Sequence, residues 1–226
     1  MSNNIILRKA KDSDINFLVE AIINANKSGT DIISYCEIFS VSPNELSKIL
    51  AEILAEDIQG QEFCVSDFLI AEIDGEPAGA VCSWIESTDP NSVEMIKANI
   101  FYHFFGKVKC EQAREKLKIT EQVTIQRVPG CIQIESVYVS KKFRGLGISE
   151  KLICQQVKNL KETDNNVTKV QILLAKTNEA AYHVYKKIGF QIINEKHSDN
   201  LDIFKILPSD TMIQMENTVE NILNNN

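Results

Sequence analysis

The sequence predicts an α+β (mixed α/β) fold in which helices flank one mixed sheet, and two kinds of strand connection indicate this. The segment DFLIAEIDGEPAGAVCSWIE contains two short apolar strands joined at Asp74-Gly75, a pair typical of tight hairpins. Further along, the apolar strand GCIQIESVYVS leads through a glycine-containing turn into an apolar helix, and the strand NVTKVQILLA follows. Hairpins together with helical crossovers are typical of a mixed sheet.

Caps and apolar periodicity place the other elements along the chain. NIILRKA is a predicted first strand, and DSDINFLVEAII is a predicted helix with an Asp or Ser cap. In SVSPNELSKILAEILAEDIQG, Ser42 is suited to cap a helix and Pro43 to its first position. Helical spacing also predicts an inserted helical segment at about residues 90–122 and a short helix in NEAAYHVYKKIG. FQIINEK and LDIFKIL are the predicted final strand pair.

The predicted domain organisation is one domain with an added tail. The domain covers residues 1–208 and contains two insertions, at about 30–66 and 90–122. The last segment, MIQMENTVENILNNN, carries apolar residues at three-four-three spacing, namely Met212, Met215, Val219 and Ile222. This spacing predicts that residues 209–226 form a C-terminal helical tail.

Composition narrows the class of protein. The chain has 226 residues, of which 44% are hydrophobic, and its formal net charge is −7. Because nucleic-acid binding needs a basic face, we expect no nucleic-acid partner. The six cysteines include no C-x-x-C pair and no metal-binding cluster is evident, so we expect no metal and a reducing, cytoplasmic compartment. No signal peptide or apolar run of membrane-spanning length is visible, so no membrane association is expected.

The turn FRGLGISEKLI is the most informative short stretch. Two glycines and an arginine precede an apolar helix, an arrangement suited to holding a phosphate at a helix N-terminus. A dinucleotide fingerprint needs a third glycine, and Glu150 stands at that position. A P-loop also fails, because the G-K-[ST] sequence is missing. On these residues alone, a plain strand-to-helix turn remains an equal alternative.

The segments around this turn resemble the GNAT superfamily of acetyl-CoA-dependent N-acetyltransferases. Arg144, Gly147 and Ser149 fall on the family signature Q/R-x-x-G-x-G/A, with serine replacing the last small residue. The second family signature is matched in full, by Asn178, Ala181, Tyr185, Gly189 and Phe190. The resemblance covers residues 131–193, while 30–66 and 90–122 lie outside it.

The resemblance implies a splayed sheet that admits acetyl-CoA and assigns residues to it. The turn that would hold the pyrophosphate with its main-chain amides consists of Arg144, Gly145, Leu146, Gly147, Ile148 and Ser149. The preceding strand would bind the pantetheine and thioester through the backbone of Val137, Tyr138 and Val139. Asn178 would contact the coenzyme or fix the neighbouring helix, and a plain helix cap is the alternative.

Two catalytic residues follow from the same resemblance. Tyr185 would protonate the departing thiolate, and packing of the helix on the sheet is its alternative role. Glu135 interrupts an apolar strand at the offset where polyamine acetyltransferases carry a glutamate proposed as the base. Its alternative is structural pairing, for instance with Arg127 or with a lysine of the insertion.

The expected function is acetyl transfer from acetyl-CoA to a primary amine, directly within a ternary complex. A small amine is favoured over a protein lysine by the polyamine-type glutamate and the acidic charge. Leu173 stands where enzymes acting on protein N-termini carry a glutamate, which argues against that group. A non-catalytic acyl-CoA-binding module and a nucleotide-binding protein are the other classes left open. Homodimers are common among similar proteins.

Overall fold

A computed structural model gives the fold of the chain and describes residues 4–224. The strands are β1 (Ile5–Lys9), β2 (Phe68–Ile73), β3 (Glu76–Ile85), β4 (Ile132–Val139), β5 (Lys169–Ala175), β6 (Gln191–His197) and β7 (Thr211–Thr218). The helices are α1 (Ile15–Lys27), α2 (Ser34–Phe39), α3 (Pro43–Ala55), α4 (Pro90–Phe105), α5 (Lys107–Glu121), α6 (Ile148–Thr163), α7 (Glu179–Ile188) and α8 (Val219–Asn224).

The strands form one sheet in the order β1-β2-β3-β4-β5-β7-β6. Among the strands within residues 4–224, only β4 and β5 run parallel, connected by the crossover helix α6, and every other neighbouring pair is antiparallel. The predicted α+β fold with a mixed sheet is therefore confirmed. Helical segments are also found at both predicted insertions, with α2 and α3 in the first and α4 and α5 in the second.

Apolar side chains cover both faces of the sheet. One face packs on a cluster that includes Leu18 of α1, Leu50 of α3 and Phe105 of α4. The opposite face packs on α6, α7 and α8, through residues such as Leu152 and Ile222. Only the edge strand β6 is exposed along its length among the described strands, so the site residues on β4 and β5 belong to the packed middle of the sheet.

The sheet opens between β4 and β5, as the resemblance implied. The two strands pair only at Ile132–Ile134 with Val170–Ile172, although each continues for several residues beyond that point. On its other side, β4 bulges. Glu135 pairs with Cys82 and Tyr138 with Ala80, so two β4 residues stand opposite one β3 residue. The bulge leaves backbone groups free at the point where the strands separate.

Two residues, Ser136 on β4 and Gly79 on β3, have backbone features that accompany the bulge. Ser136, inside the bulge, has a φ of 50°, which is uncommon for a residue with a side chain. Gly79, on β3, lies where an added Cβ would stand 2.9 Å from both the Tyr138 carbonyl oxygen and the Ile148 side chain. A glycine at this position therefore allows the first turn of α6 to approach the bulged strand.

The predicted C-terminal helical tail is wrong over most of its length. Thr211–Thr218 is the strand β7, which lies between β5 and β6, and only Val219–Asn224 is helical. β7 is largely buried on both faces, so its sequence lacks the alternation of a half-exposed strand. The boundary at residue 208 is therefore also wrong, because residues beyond it complete the sheet. Residues 225 and 226 lie outside the described residues.

The predicted pairing of the last two strands also needs correction. β6 pairs with β7, and LDIFK, at Leu201–Lys205, forms a short 3-10 helix. Buried Ile203 anchors this short helix to the protein. None of the helices in the described part of the chain combines the length and the apolar character needed to span a bilayer.

Candidate active site

Two cavities flank the β4 bulge. The first, which we call the turn cavity, has a volume of about 720 Å³ and is lined by the 143–150 turn, Val137–Val139 and α7. The second, which we call the splay cavity, has a volume of about 390 Å³ and lies between the separating ends of β4 and β5. Both volumes are typical of small-molecule sites.

The two cavities meet beside the bulge. Five residues line both of them, and they are Ala25, Val137, Asn178, Ala181 and Tyr185. The free backbone of the bulge and the Tyr185 side chain therefore stand at a junction, with the glycine turn on one side and Glu135 on the other.

The glycine turn presents main-chain amides to the turn cavity. Gly145 and Gly147 have φ values of 82° and 72°, in the left-handed region that favours glycine. Helix α6 begins at Ile148, and no side chain caps its start. The first N–H groups of a helix lack partners within the helix and carry partial positive charge, so they suit an anion.

The charges around the turn cavity also favour an anion. The lining carries four cationic side chains against two carboxylates, the cations being Lys27, Lys141, Arg144 and Lys187 and the carboxylates Asp31 and Glu150. The Arg144 Nε donates to the Val139 carbonyl oxygen at 3.3 Å, which fixes the guanidinium beside the turn. An acidic chain thus has a locally cationic cavity, which suits an anionic ligand group such as the pyrophosphate that the resemblance implies.

The residues expected at the coenzyme line the turn cavity with one exception. Val137, Tyr138, Val139, Arg144, Gly145, Gly147, Ile148, Ser149 and Asn178 are all part of the lining. Leu146 is not, and its side chain is 40% exposed. Asn178 also caps α7, because its side-chain oxygen accepts from the Ala181 amide at 3.2 Å. The helix-cap alternative for Asn178 is therefore present together with its place at the cavity.

Tyr185 is buried, and its hydroxyl has no hydrogen-bond partner among residues 4–224. The side chain is 6% exposed, and its ring centroid lies 6.1 Å from that of Phe190. Burial raises the pKa of Tyr185, and the negative charge of Glu135 raises it further. The phenol therefore keeps its proton at neutral pH, at the junction of the two cavities.

Glu135 lines the splay cavity and is paired with Arg127. The Arg127 Nη2 donates to the Glu135 carboxylate, and Arg127 also lies 4.9 Å from the Trp84 ring. Burial raises the pKa of Glu135 despite the opposing effect of the Arg127 charge. The structural pairing left open by the sequence is thus present, in a carboxylate that also faces the cavity.

A second carboxylate, which the sequence did not single out, shares this cavity. Glu62 accepts a hydrogen bond from the Tyr35 hydroxyl at 2.6 Å and from the Lys97 ammonium at 3.0 Å. Arg127 Nη2 lies 3.9 Å from it. Burial alone would raise the pKa of Glu62, but these two cations and the Tyr35 hydrogen bond hold it below the ordinary value.

No local pattern marks this group of side chains. Tyr35 and Lys97 are 27 and 35 residues from Glu62 along the chain, and all three lie in the segments that the resemblance does not cover. Only the folding of both insertions over the cavity brings them together.

Comparisons with known proteins agree with this geometry. Residues 32–190 match the model of the Acetyltransferase (GNAT) family. No curated protein matches the chain by sequence. Among solved structures, an N-acetyltransferase from Staphylococcus aureus Mu50 is similar with a TM-score of 0.64 and 16% identity, over 94% of this chain and all of that one.

Two further solved structures share the fold. The yncA protein of Salmonella typhimurium with its cofactor acetyl-CoA has a TM-score of 0.52 and 14% identity, over 96% of this chain and 94% of that one. An agmatine N-acetyltransferase mutant in its apo form has a TM-score of 0.56 and 12% identity, over 96% of this chain and all of that one. The family match covers well over half of the described chain. The chain therefore belongs to the Acetyltransferase (GNAT) family, whose members transfer an acetyl group from acetyl-CoA.

Proposed function

We propose that this protein transfers the acetyl group of acetyl-CoA to the primary amine of a small molecule, within a ternary complex. The turn cavity binds the coenzyme, and the splay cavity binds the acceptor. The observation that carries this proposal is the junction of the two cavities at Val137 and Tyr185. A thioester held along the bulged strand would there meet an amine arriving from the opposite side.

The coenzyme is held by the backbone of the chain more than by its side chains. The amides of the glycine turn and the start of α6 bind the pyrophosphate, with Arg144 beside them. N–H groups of the Val137–Val139 segment on the side where β5 has separated from β4 orient the pantetheine arm and the thioester. Bound acetyl-CoA supplies an activated acetyl group, and the free thiol form of the coenzyme is the second product.

Two side chains move protons in this proposal. Glu135 accepts a proton from the ammonium form of the acceptor, directly or through a water, because only a neutral amine has the lone pair needed for attack. As the new C–N bond forms and the C–S bond breaks, the hydroxyl of Tyr185 donates its proton to the departing sulfur, and the proton that the nitrogen then releases returns to the Tyr185 oxygen through water. The raised pKa of Tyr185 keeps the phenol protonated at neutral pH, so the proton is present when the sulfur departs.

The splay cavity favours a small acceptor. Its volume of about 390 Å³ suits a compact molecule, and helices of both insertions contribute to its lining. Leu173 lines it at the position where enzymes acting on protein N-termini carry a glutamate. A protein lysine or N-terminus is the second candidate acceptor, and a compact cavity supports it less well than a small amine.

The test is an acetyl-CoA consumption screen over small amines, aminoglycosides, amino acids and peptides, read by release of free thiol. We expect turnover with one or more small amines and little with peptides. Wild type should bind acetyl-CoA by calorimetry, and Glu135→Gln should bind it equally well while turning over more slowly. Binding without turnover for any acceptor would favour the non-catalytic module, and turnover of peptides alone would overturn the small-amine assignment.

A further inference from the structure

The Lys97 ammonium stands where the splay cavity is best suited to bind a cation. It lies 3.0 Å from the Glu62 carboxylate, and 5.9 Å and 6.0 Å from the ring centroids of Phe63 and Phe101. A carboxylate with aromatic faces around it is the arrangement that binds organic ammonium groups. Lys97, which α4 carries into the cavity, therefore fills a position that would otherwise attract an ammonium group of a ligand.

Each of the two carboxylates that line this end of the cavity already has a cationic partner. Two carboxylates, Glu62 and Glu135, face two cations, Lys97 and Arg127, and the same Nη2 atom of Arg127 lies near both carboxylates. The shared guanidinium also shows that the two carboxylates occupy neighbouring positions. A further ammonium would have to compete with Lys97 for Glu62.

We propose that Lys97 determines acceptor specificity by filling this cation position, so that the enzyme acetylates amines with one amino group and discriminates against diamines. The amino group that reacts is bound near Glu135 and Tyr185, and the rest of the acceptor points toward Lys97. There, a second ammonium is repelled by Lys97, whereas an uncharged alkyl end packs against the aromatic rings. This is specificity achieved by a repulsive element, and it rests on the proposed function because it assumes an amine acceptor.

Removing the Lys97 charge should reverse this preference. Lys97→Met keeps an unbranched side chain over the rings and leaves Glu62 with only the more distant Arg127 as a cationic neighbour, so the position opens to an ammonium from the acceptor. Lys109→Met is the matched control. Lys109 belongs to the same helical insertion and also pairs with a glutamate, Glu45, but it lines neither cavity.

The experiment compares n-butylamine with 1,4-diaminobutane, and n-pentylamine with 1,5-diaminopentane, in wild type and variants. The readout is the ratio of kcat/KM for the diamine to that for the monoamine. We expect a ratio below one for wild type and a rise of about tenfold or more in Lys97→Met, equivalent to about 1.4 kcal/mol. Lys109→Met should keep the wild-type ratio, and the double variant Lys97→Met/Glu62→Gln should lose the gain.

Calorimetric binding of the same amines separates this inference from the proposed function. If none of the four amines is acetylated, the small-amine function fails for this set, and the ratio of binding constants still tests the role of Lys97. A wild-type preference for diamines would overturn the inference. An unchanged ratio in Lys97→Met, no binding of 1,4-diaminobutane to that variant, or a gain that persists after Glu62→Gln would overturn it as well. Acetyl-CoA binding by each variant reports that the turn cavity is intact.

Discussion

Replacing Tyr185 with phenylalanine tests its proposed role as the general acid with little disturbance of the structure. The ring is buried and packs near Phe190, and phenylalanine preserves that packing. No residue within 4–224 hydrogen-bonds the hydroxyl, so its removal leaves no protein group unpaired. We therefore expect the free energy of unfolding to change by less than about 0.5 kcal/mol, as for substitutions that break no contact. Acetyl-CoA affinity should be unchanged for the same reason.

The rate should fall far more than the stability. A positioned general acid contributes roughly 10²–10⁴ in rate. At about 1.36 kcal/mol for each factor of ten, the lost stabilisation of the transition state is about 2.7–5.4 kcal/mol. Because the sulfur must otherwise leave as an unprotonated thiolate or take a proton from water, the loss should appear in kcat more than in KM.

The assay measures thiol release with the best amine found in the screen, together with calorimetric binding of acetyl-CoA and thermal unfolding. Tyr182→Phe is the matched control, since Tyr182 lies on the same helix but lines neither cavity. The reasoning would be refuted if Tyr185→Phe kept more than about a third of the wild-type kcat. It would also fail if Tyr182→Phe slowed the reaction to the same degree.

Three further outcomes are expected. Because burial raises the pKa of Glu135, the acidic limb of the kcat/KM profile should lie above pH 4.5, and Glu135→Gln should abolish that limb. Gly147, at φ 72°, lines the turn cavity, so Gly147→Ala should weaken acetyl-CoA binding in calorimetry. Gly130, at φ 74°, lies outside both cavities, so Gly130→Ala should cost only about 1–2 kcal/mol of stability. Hydrogen bonds from Arg8 hold the pKa of Asp14 below 3.8. These bonds therefore stabilise the fold above pH 3.8, and that stabilisation is lost as the pH falls through the lowered pKa. Asp14→Asn should thus lower the free energy of unfolding, measured with urea, by about 2 kcal/mol at pH 7. The difference in this free energy between the variant and wild type should become smaller in acid.

The sequence predicts those parts of the fold whose signals are local. The Ser42 cap is present, with its hydroxyl accepting from the Glu45 amide, and the Asp74-Gly75 turn joins β2 to β3. Strand β7 carries no comparable signal. Its buried Gln214 bonds to Gln171 on the adjacent strand, so polar residues that suggest a solvated helix face are satisfied inside the sheet. That pairing depends on strands far apart along the chain.

The candidate site likewise has one part that local sequence predicts and one part that depends on residues far apart in the chain. The turn before α6 and the α7 signature are short motifs, and the geometry of each depends on neighbours in the chain. Glu62 and Lys97 belong to different insertions, and only the folded structure shows that they form an ion pair at the cavity. Motifs therefore predict the coenzyme half of the site, whereas the acceptor half depends on how the insertions fold over it.

The two roles considered for Glu135 are compatible, because its structural partner Arg127 also shifts the pKa of the proposed base. Arg127 is held by the Trp84 ring and by Gln133, to which its Nη1 donates at 3.1 Å. A carboxylate this buried and without a cation would hold its proton too firmly to be ionised at neutral pH, whereas a fully solvated one would be too weak a base for an ammonium. Arg127 stabilises the ionised form while burial and the charge of Glu62 oppose it, and the pKa still lies above the ordinary value. In the proposed mechanism, the ion pair thus favours the ionised form of Glu135, while burial keeps its pKa above the ordinary value.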